Sequence, residues 1–200
     1  MSRPADLPRG RMTLGALVFV GAALAARRGV SESETGLFRA VNDLPDELLP
    51  FVWVPMQFGT FATVPVLGVV ALRNGRRELA LRLAVAGTGA YLAARLAKRF
   101  TRRSRPGVVL PEVHLRGVKA DDEGFPSGHV AVSTALATTF ASLLPVPRGA
   151  VAGSLAVATG LGRMYVGAHL PLDVVGGAGL GLAIASAVEI LRSGHGREEA

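Results

Sequence analysis

The amino-acid sequence predicts an all-α, polytopic membrane protein with six transmembrane helices in one bundle. Its 200 residues are 50% apolar and 18% charged, whereas soluble domains carry about 25% charged residues. The apolar residues are grouped into six runs, and a membrane-spanning helix needs about 20 such residues. This composition excludes a disordered chain. The absence of cysteine excludes disulfides, thiolate metal sites and a cysteine nucleophile.

The six apolar runs are separated by polar or proline-containing segments. The runs cover residues 12–26, 50–72, 79–97, 129–146, 150–166 and 172–191. We therefore expect a single membrane domain over residues 1–200, with the residues that carry chemistry in about 98–173. Residues 1–11 and 193–200 are expected to be disordered tails.

The first run and the segment after it each allow two interpretations. The run follows a basic stretch with Arg3, Arg9 and Arg11 and ends in small residues, so it is either the first span or a cleaved signal peptide. The segment 34–49 mixes apolar and charged residues. It is compatible with a short interfacial helix broken at Pro45 and with a solvated loop.

The net charge of +7 comes from 22 Lys and Arg against 15 Asp and Glu. An apolar chain with a basic excess suggests a membrane protein that handles anions, whereas nucleic-acid-binding proteins are usually polar. With the N-terminus inside, the basic residues of the loops are divided almost evenly between the two sides. The positive-inside rule therefore does not set the orientation.

A first cluster of basic residues lies at the end of the third run. Arg95, Lys98, Arg102 and Arg105 have the spacing of one helix face. Pro106 disfavours helix at Arg105, so we expect the helix to end nearby and Arg105 to turn back toward Lys98. Two fixed cations would then converge on one anion. Taken alone, the pattern is more typical of basic anchors at a membrane surface.

A second cluster, Pro126-Ser127-Gly128-His129, directly precedes the fourth run. Ser127 is a natural N-cap, and Gly128 would let the backbone approach a ligand closely. A helix N-terminus binds anions through its free N–H groups, and His129 could donate a proton to a leaving oxygen there. The alternative is an ordinary helix start with a surface histidine.

A third cluster consists of Arg163, His169 and Asp173. His169 and Asp173 are four residues apart, the spacing that brings two side chains together on one helix face, and Pro171 is tolerated in the first turn of a helix. A carboxylate beside an imidazole fixes its tautomer, and the imidazole could itself be a nucleophile. The alternative is a buried His–Asp pair that serves stability.

Together the three clusters resemble the type 2 phosphatidic acid phosphatase superfamily, in its membrane lipid phosphatase branch. The family pattern is K-x6-RP, then PSGH, then SR-x5-H-x3-D. The present sequence departs from it at Gly162, where the family has Ser. This change removes one hydroxyl from the expected phosphate cradle and leaves the backbone N–H.

The resemblance implies a role for each matched residue. His169 would be the nucleophile that forms a phosphohistidine, Asp173 would orient it, and His129 would protonate the leaving group. The phosphate cradle would consist of Lys98, Arg105, Ser127, Gly128 and Arg163. Families of this kind need no metal and no other cofactor, and no obvious paired-carboxylate cluster of the kind that holds Mg²⁺ lies near the motifs.

The expected activity is therefore hydrolysis of a lipid phosphate or pyrophosphate, with undecaprenyl (isoprenoid) pyrophosphate as the first substrate. Phosphatidate and phosphatidylglycerol phosphate are the alternative substrates. A protein that only binds phosphate headgroups, and a small transporter, are the non-enzymatic alternatives. The expected partners are the lipid substrate and the bilayer, without nucleic acid, while the oligomeric state stays open.

The resemblance also implies a location in the bacterial plasma membrane, with the site facing away from the cytoplasm. Six spans with the N-terminus inside would place all three clusters on that side. The similar vanadate-dependent haloperoxidases are larger, soluble proteins, which six apolar runs in 200 residues argue against. His114, in the loop between the first two clusters, is either a solvated loop residue or a contact to the headgroup.

Overall fold

The computed structural model describes residues 6–118 and 123–195. Within these residues the fold is all-helical, with an isolated antiparallel bridge between Ser104 and Glu123. The nine α-helices in this part of the chain are α1 (Asp6–Ala26), α2 (Glu32–Asn42), α3 (Leu49–Met56), α4 (Thr63–Arg73), α5 (Arg77–Thr101), α6 (Pro106–Val109), α7 (Gly128–Leu143), α8 (Val146–Tyr165) and α9 (Pro171–His195). Short 3-10 helices at Asp46–Leu48 and Gln57–Gly59 precede and follow α3.

The ends of the chain are more helical than the sequence suggested. Helix α1 begins at Asp6, and α9 continues to His195. The predicted tails therefore belong to helices at residues 6–11 and 193–195. Residues 1–5 and 196–200 lie outside the described residues.

The segment after the first run contains a packed helix, so the interpretation as a solvated loop is wrong. Helix α2 is capped by Ser31, whose Oγ accepts a hydrogen bond from the N–H of Glu34 at 3.2 Å. Phe38 is buried on the inner face of α2. Asn42, at its last turn, donates to the carbonyl oxygen of Tyr165 at 2.9 Å. This bond ties α2 to the end of α8.

The second run is bent rather than straight. The segment Asp46–Gly59 and the helix Thr63–Arg73 meet at an angle of 70°. Gly59 lies at the bend, and a Cβ there would come within 2.5 Å of the carbonyl oxygen of His129. The bend thus brings the backbone of the second run against the start of α7, a close approach that only glycine permits.

The structure confirms an all-helical fold with several apolar helices but not six spans in one bundle. Among the described residues, α1, α5 and α9 are long and apolar enough to cross a membrane, and the bent segment would be a fourth span. Helix α7 has 16 residues and is about 24 Å long, less than the hydrocarbon core of about 30 Å. Large apolar side chains are nevertheless exposed on the outer faces, as expected for an integral membrane protein; examples are Leu17, Leu92 and Val157.

Helix α9 packs against α1 on one side and against α7 on the other. A Cβ at Gly179 would lie 2.7 Å from the backbone nitrogen of Phe19, and one at Gly181 would overlap the carbonyl oxygen of Ala131. Small residues allow such close helix contacts in membrane proteins. As a result, the end of α5, the start of α7, the end of α8 and the start of α9 meet at one end of the protein.

Candidate active site

A cavity of about 360 Å³ lies where these four helix ends meet. Six of the eight predicted site residues line it: Lys98, Arg105, Gly128, His129, Arg163 and His169. The other two, Ser127 and Asp173, are fully buried next to residues that line it. Clusters that are up to 75 residues apart in the sequence therefore converge on one site.

The first cluster has the predicted turn at the end of α5. The helix stops at Thr101, and Arg102 reverses the chain with a left-handed φ of 48°. Arg105 follows in extended conformation before Pro106, and its side chain returns to the cavity that Lys98 also lines. Arg102, expected on the same face, does not line the cavity, because the helix ends before it.

The second cluster forms the start of α7. Ser127 is the N-cap residue, as predicted, but its side chain makes no capping hydrogen bond. Its buried Oγ has no hydrogen-bond partner among the described atoms. A Cβ at Gly128 would have its nearest neighbour at 4.0 Å, in Ala94. Packing within the protein therefore does not require a glycine here.

The third cluster forms the predicted His–Asp pair. Nδ1 of His169 lies 3.6 Å from Oδ2 of Asp173. This distance is longer than that of a hydrogen bond, but the two groups are close enough to interact electrostatically. The same Oδ2 accepts a hydrogen bond from the N–H of Leu170 at 2.9 Å. Helix α9 begins at Pro171. The histidine is thus held in the loop before α9 and the aspartate in its first turn.

Burial, together with the nearby charges of Arg163 and Lys98, lowers the pKa of His169 to about 4, although Asp173 acts in the opposite direction. His169 is therefore neutral at pH 7. A neutral imidazole carries one proton. With that proton on Nδ1, toward Asp173, Nε2 keeps a free lone pair.

Two residues near the site were missed by the sequence analysis. Arg103 donates from Nη1 to Oδ1 of Asp173 at 2.8 Å and from Nη2 to Oε2 of Glu34 at 2.6 Å. Burial opposes the charge of Arg103, but its hydrogen bond to Glu34 and the charge of Asp173 outweigh this effect and raise the pKa of Arg103. The Ser31-x-x-Glu34 spacing is that of a capping box and could have revealed α2. It could not have revealed the bond to Arg103.

The more exposed part of the cavity lining comes from α5 and from the bend in the second run. Phe61 and Tyr91 stack with ring centroids 4.5 Å apart. Nη1 of Arg95 donates to the Tyr91 hydroxyl at 3.2 Å. Arg95 and Arg99 both line the cavity, so the site has two arginines in addition to the three predicted cations.

Two further sequence predictions concern residues that do not line the cavity. His114 is exposed, with Nε2 3.8 Å from Oδ1 of Asp43, as a solvated loop residue would be. Gly162 faces α3, where a Cβ would lie 3.0 Å from Cγ1 of Val52 and 3.4 Å from Cβ of Met56. The serine of the family pattern would be tight at this position.

Among the described residues, no group of three or more His, Asp or Glu side chains is close enough together to hold a metal ion.

Comparison with known proteins adds to this geometry. The sequence model of the PAP2 superfamily matches residues 79–195. The chain is 34% identical over 175 residues to the decaprenylphosphoryl-5-phosphoribose phosphatase of Mycolicibacterium smegmatis, covering 86% of this chain and 83% of that protein. It is 28% identical over 123 residues to the undecaprenyl-diphosphatase of Sulfolobus acidocaldarius, covering 60% of this chain and 59% of that protein.

The fold is similar to the crystal structure of a transmembrane PAP2-type phosphatidylglycerolphosphate phosphatase from Bacillus subtilis. The TM-score is 0.74 at 23% sequence identity, covering 92% of this chain and 96% of that chain.

Proposed function

This chain belongs to the PAP2 superfamily, and we propose that it hydrolyses an isoprenoid diphosphate through a phosphohistidine intermediate. It is a membrane lipid phosphatase. The observation that carries this mechanism is the buried, neutral His169 in the lining of a cavity that five basic side chains also line. A neutral imidazole with an oriented carboxylate partner is a competent nucleophile.

In the first step, Nε2 of His169 attacks phosphorus while the bond from phosphorus to the leaving oxygen breaks. The imidazole becomes positively charged, and the carboxylate of Asp173 stabilises this charge. His129 gives a proton to the leaving oxygen. In the second step, water attacks phosphorus and gives its proton to His129. The P–N bond breaks, and neutral His169 and inorganic phosphate are formed.

Lys98, Arg105 and Arg163 balance the negative charge of the transferring phosphoryl group. Phosphoryl transfer depends mainly on positioning and fixed positive charge, so we propose that these side chains act without a metal ion. Burial and these same cations lower the pKa of His129 to about 3. A bound phosphate compensates their charge, and His129 can then carry the proton that it donates.

Two observations support a substrate with a second phosphate on its leaving group. Arg95 and Arg99 line the cavity beyond the three cations assigned to the transferred phosphate. The relatives above include a phosphatase of decaprenylphosphoryl-5-phosphoribose and an undecaprenyl-diphosphatase. Phosphatidate has no second phosphate, so these two arginines would contribute less to its binding. Phosphatidylglycerol phosphate is the second candidate substrate.

We propose that the site faces away from the cytoplasm. Phe125, next to the second cluster, packs against Ala22 and Ala26 at the end of α1. Arg11, near the start of α1, forms an ion pair with Glu189 at the other end of α9. The site therefore lies at the opposite end of the protein from the start of α1. A cytoplasmic N-terminus places it outside.

The test is phosphate release by detergent-purified protein from undecaprenyl pyrophosphate, phosphatidylglycerol phosphate and phosphatidate, with and without EDTA. We expect EDTA-resistant activity that is lost in His169→Ala and retained in the matched control His114→Ala. Acid-free rapid quenching should trap a phosphohistidine in the wild type. Full activity in His169→Ala, or no release from any of the three lipids, would overturn the proposal.

The substrate class is tested with the double variant Arg95→Gln, Arg99→Gln. We expect KM for undecaprenyl pyrophosphate to rise at least about tenfold, the equivalent of one lost charge-assisted contact, while KM for phosphatidate changes little. An equal rise for both lipids would contradict a role in binding the second phosphate.

A further inference from the structure

We propose that Arg103 and Glu34 are positioning residues, which fix the Asp173 carboxylate and through it the His169 imidazole. The inference rests on the proposed function, in which His169 is the nucleophile. According to this inference, α2, a helix outside the three clusters, helps to position the nucleophile.

The first contact in this chain of residues is between Arg103 and Asp173. Nη1 of Arg103 donates to Oδ1 of Asp173 at 2.8 Å. The other oxygen, Oδ2, accepts from the N–H of Leu170 at 2.9 Å and faces Nδ1 of His169. With one oxygen held by the guanidinium, the carboxylate cannot rotate without breaking a charge-assisted hydrogen bond. The oxygen that faces His169 is therefore fixed.

The second contact holds Arg103 itself. Its two terminal nitrogens lie 3.1 and 2.6 Å from the two oxygens of Glu34, a bidentate pair. Oε1 of Glu34 also accepts from the N–H of Leu172 at 3.0 Å, in the first turn of α9. The side chains of Arg103 and Glu34 are 8% and 4% exposed. Removing one partner of such a buried ion pair strongly destabilises a folded protein, because the other charge is left without compensation. The two side chains are therefore held in one geometry.

The three charges alternate in sign, from Glu34 through Arg103 to Asp173. The charged and titratable groups that face His169 are Asp173 of α9, Arg163 of α8, His129 of α7 and Lys98 of α5. Arg103 is an additional cation behind Asp173, and Glu34 an additional anion behind Arg103. Removing the two charges one at a time must therefore change the proton affinity of His169 in opposite directions.

The opposite changes in the proton affinity of His169 distinguish a positioning role from a merely structural one. In Arg103→Gln, His169 gains proton affinity, because a positive charge is lost. In Glu34→Gln it loses proton affinity, because a negative charge is lost. Loss of packing alone would not produce two shifts of opposite sign. The matched controls are Arg102→Gln, the adjacent arginine outside the cavity, and Glu32→Gln, an exposed glutamate on the same helix.

The experiment measures the histidine titration by NMR from pH 7 down to pH 3 in detergent-solubilised full-length protein, with His169 assigned by His169→Ala. It also measures kcat and KM with the best substrate of the panel above. We expect opposite titration shifts and a fall in kcat of about 10–100-fold in both variants, the range known for removed hydrogen-bond partners of metal-ligating histidines. KM should change by less than about threefold. Arg103→Lys, which keeps the charge, should retain the wild-type titration.

The inference is overturned if the two titrations shift in the same direction or not at all, or if KM rises while kcat is unchanged. If Arg103→Gln does not fold, Glu34→Gln and Arg103→Lys decide by the same criteria. Failure of the proposed function would be seen separately, as activity in His169→Ala. In that case the wild type would still have its phosphatase activity, but not through this histidine.

Discussion

Replacing Asp173 by asparagine changes the hydrogen bonding of the site while keeping its shape. Both oxygens of Asp173 are acceptors, from Arg103 at 2.8 Å and from the N–H of Leu170 at 2.9 Å. Asparagine has one acceptor and one donor at these positions. Because the bond from Arg103 is the charge-assisted one and the stronger of the two, the carbonyl oxygen should stay there. The amide NH2 then points toward His169.

A donor beside Nδ1 of His169 reverses the tautomer of the imidazole. Nδ1 must then accept, so the proton moves to Nε2 and removes the lone pair that attacks phosphorus. A wrong tautomer in a His–Asp pair costs about 10⁴ in kcat, equivalent to about 5 kcal/mol of activation free energy. Lys98, Arg105 and Arg163 are untouched, so phosphate binding should be preserved.

The assay combines kcat for phosphate release with the affinity for vanadate, measured by competition. Asp173→Asn should lose about 10⁴-fold in kcat and keep its vanadate affinity within about threefold, while the exposed control Asp43→Asn behaves like the wild type. A kcat within tenfold of the wild type would refute the tautomer argument. A parallel loss of vanadate affinity would show that Asp173 holds the cradle rather than the nucleophile.

Three further predictions concern stability, packing and orientation. Burial lowers the pKa of His169 to about 4 from 6.5, so the folded protein binds fewer protons than the unfolded chain below pH 6.5. His169 should therefore contribute a fall of about 3 kcal/mol in the unfolding free energy as the pH drops from 6.5 to 4. The lowered pKa of His129 contributes a fall of its own, so the melting temperature of His169→Gln should decline less than that of the wild type over this range. Gly181→Ala should lower the melting temperature by several degrees, because its Cβ would overlap the backbone of α7, whereas Gly153→Ala, with nothing within 4 Å, should not. Because the chain lacks cysteine, Ser33→Cys should react with an impermeant maleimide on intact cells and Asn74→Cys only after permeabilisation; the reverse pattern would place the site in the cytoplasm.

The predictions that the structure confirmed depend on local spacing. His169 and Asp173 are four positions apart, and this spacing brings them together at the start of α9, with the histidine in the preceding loop and the aspartate in the first turn. Pro106 keeps Arg105 out of the helical conformation, and Arg105 returns to the cavity that Lys98 lines, after α5 has ended at Thr101. Each of these is a property of a few consecutive residues, and the covalent geometry of the backbone determines it.

The features that were missed depend on contacts between distant parts of the chain. Arg103 and Glu34 are 69 residues apart, and neither has a local pattern that indicates the other. The bend at Gly59 follows from its contact with the backbone of His129. The six predicted spans were not confirmed, because apolar runs predict burial, but not whether the buried surface faces lipid or protein. Helix α7, with its buried face toward α5, α8 and α9, is the main example.

The contact between α1 and α9 has a consequence for the order of biosynthesis. Helix α1 leaves the ribosome before its partner α9, which begins at Pro171, about 145 residues after the end of α1. Until α9 is inserted, α1 has no partner for its small-residue face, and neither Asp173 nor the backbone N–H that holds Glu34 is present. The site can be completed only when α9 arrives, so a chain stalled before that point would sit in the bilayer without hydrolysing its lipids.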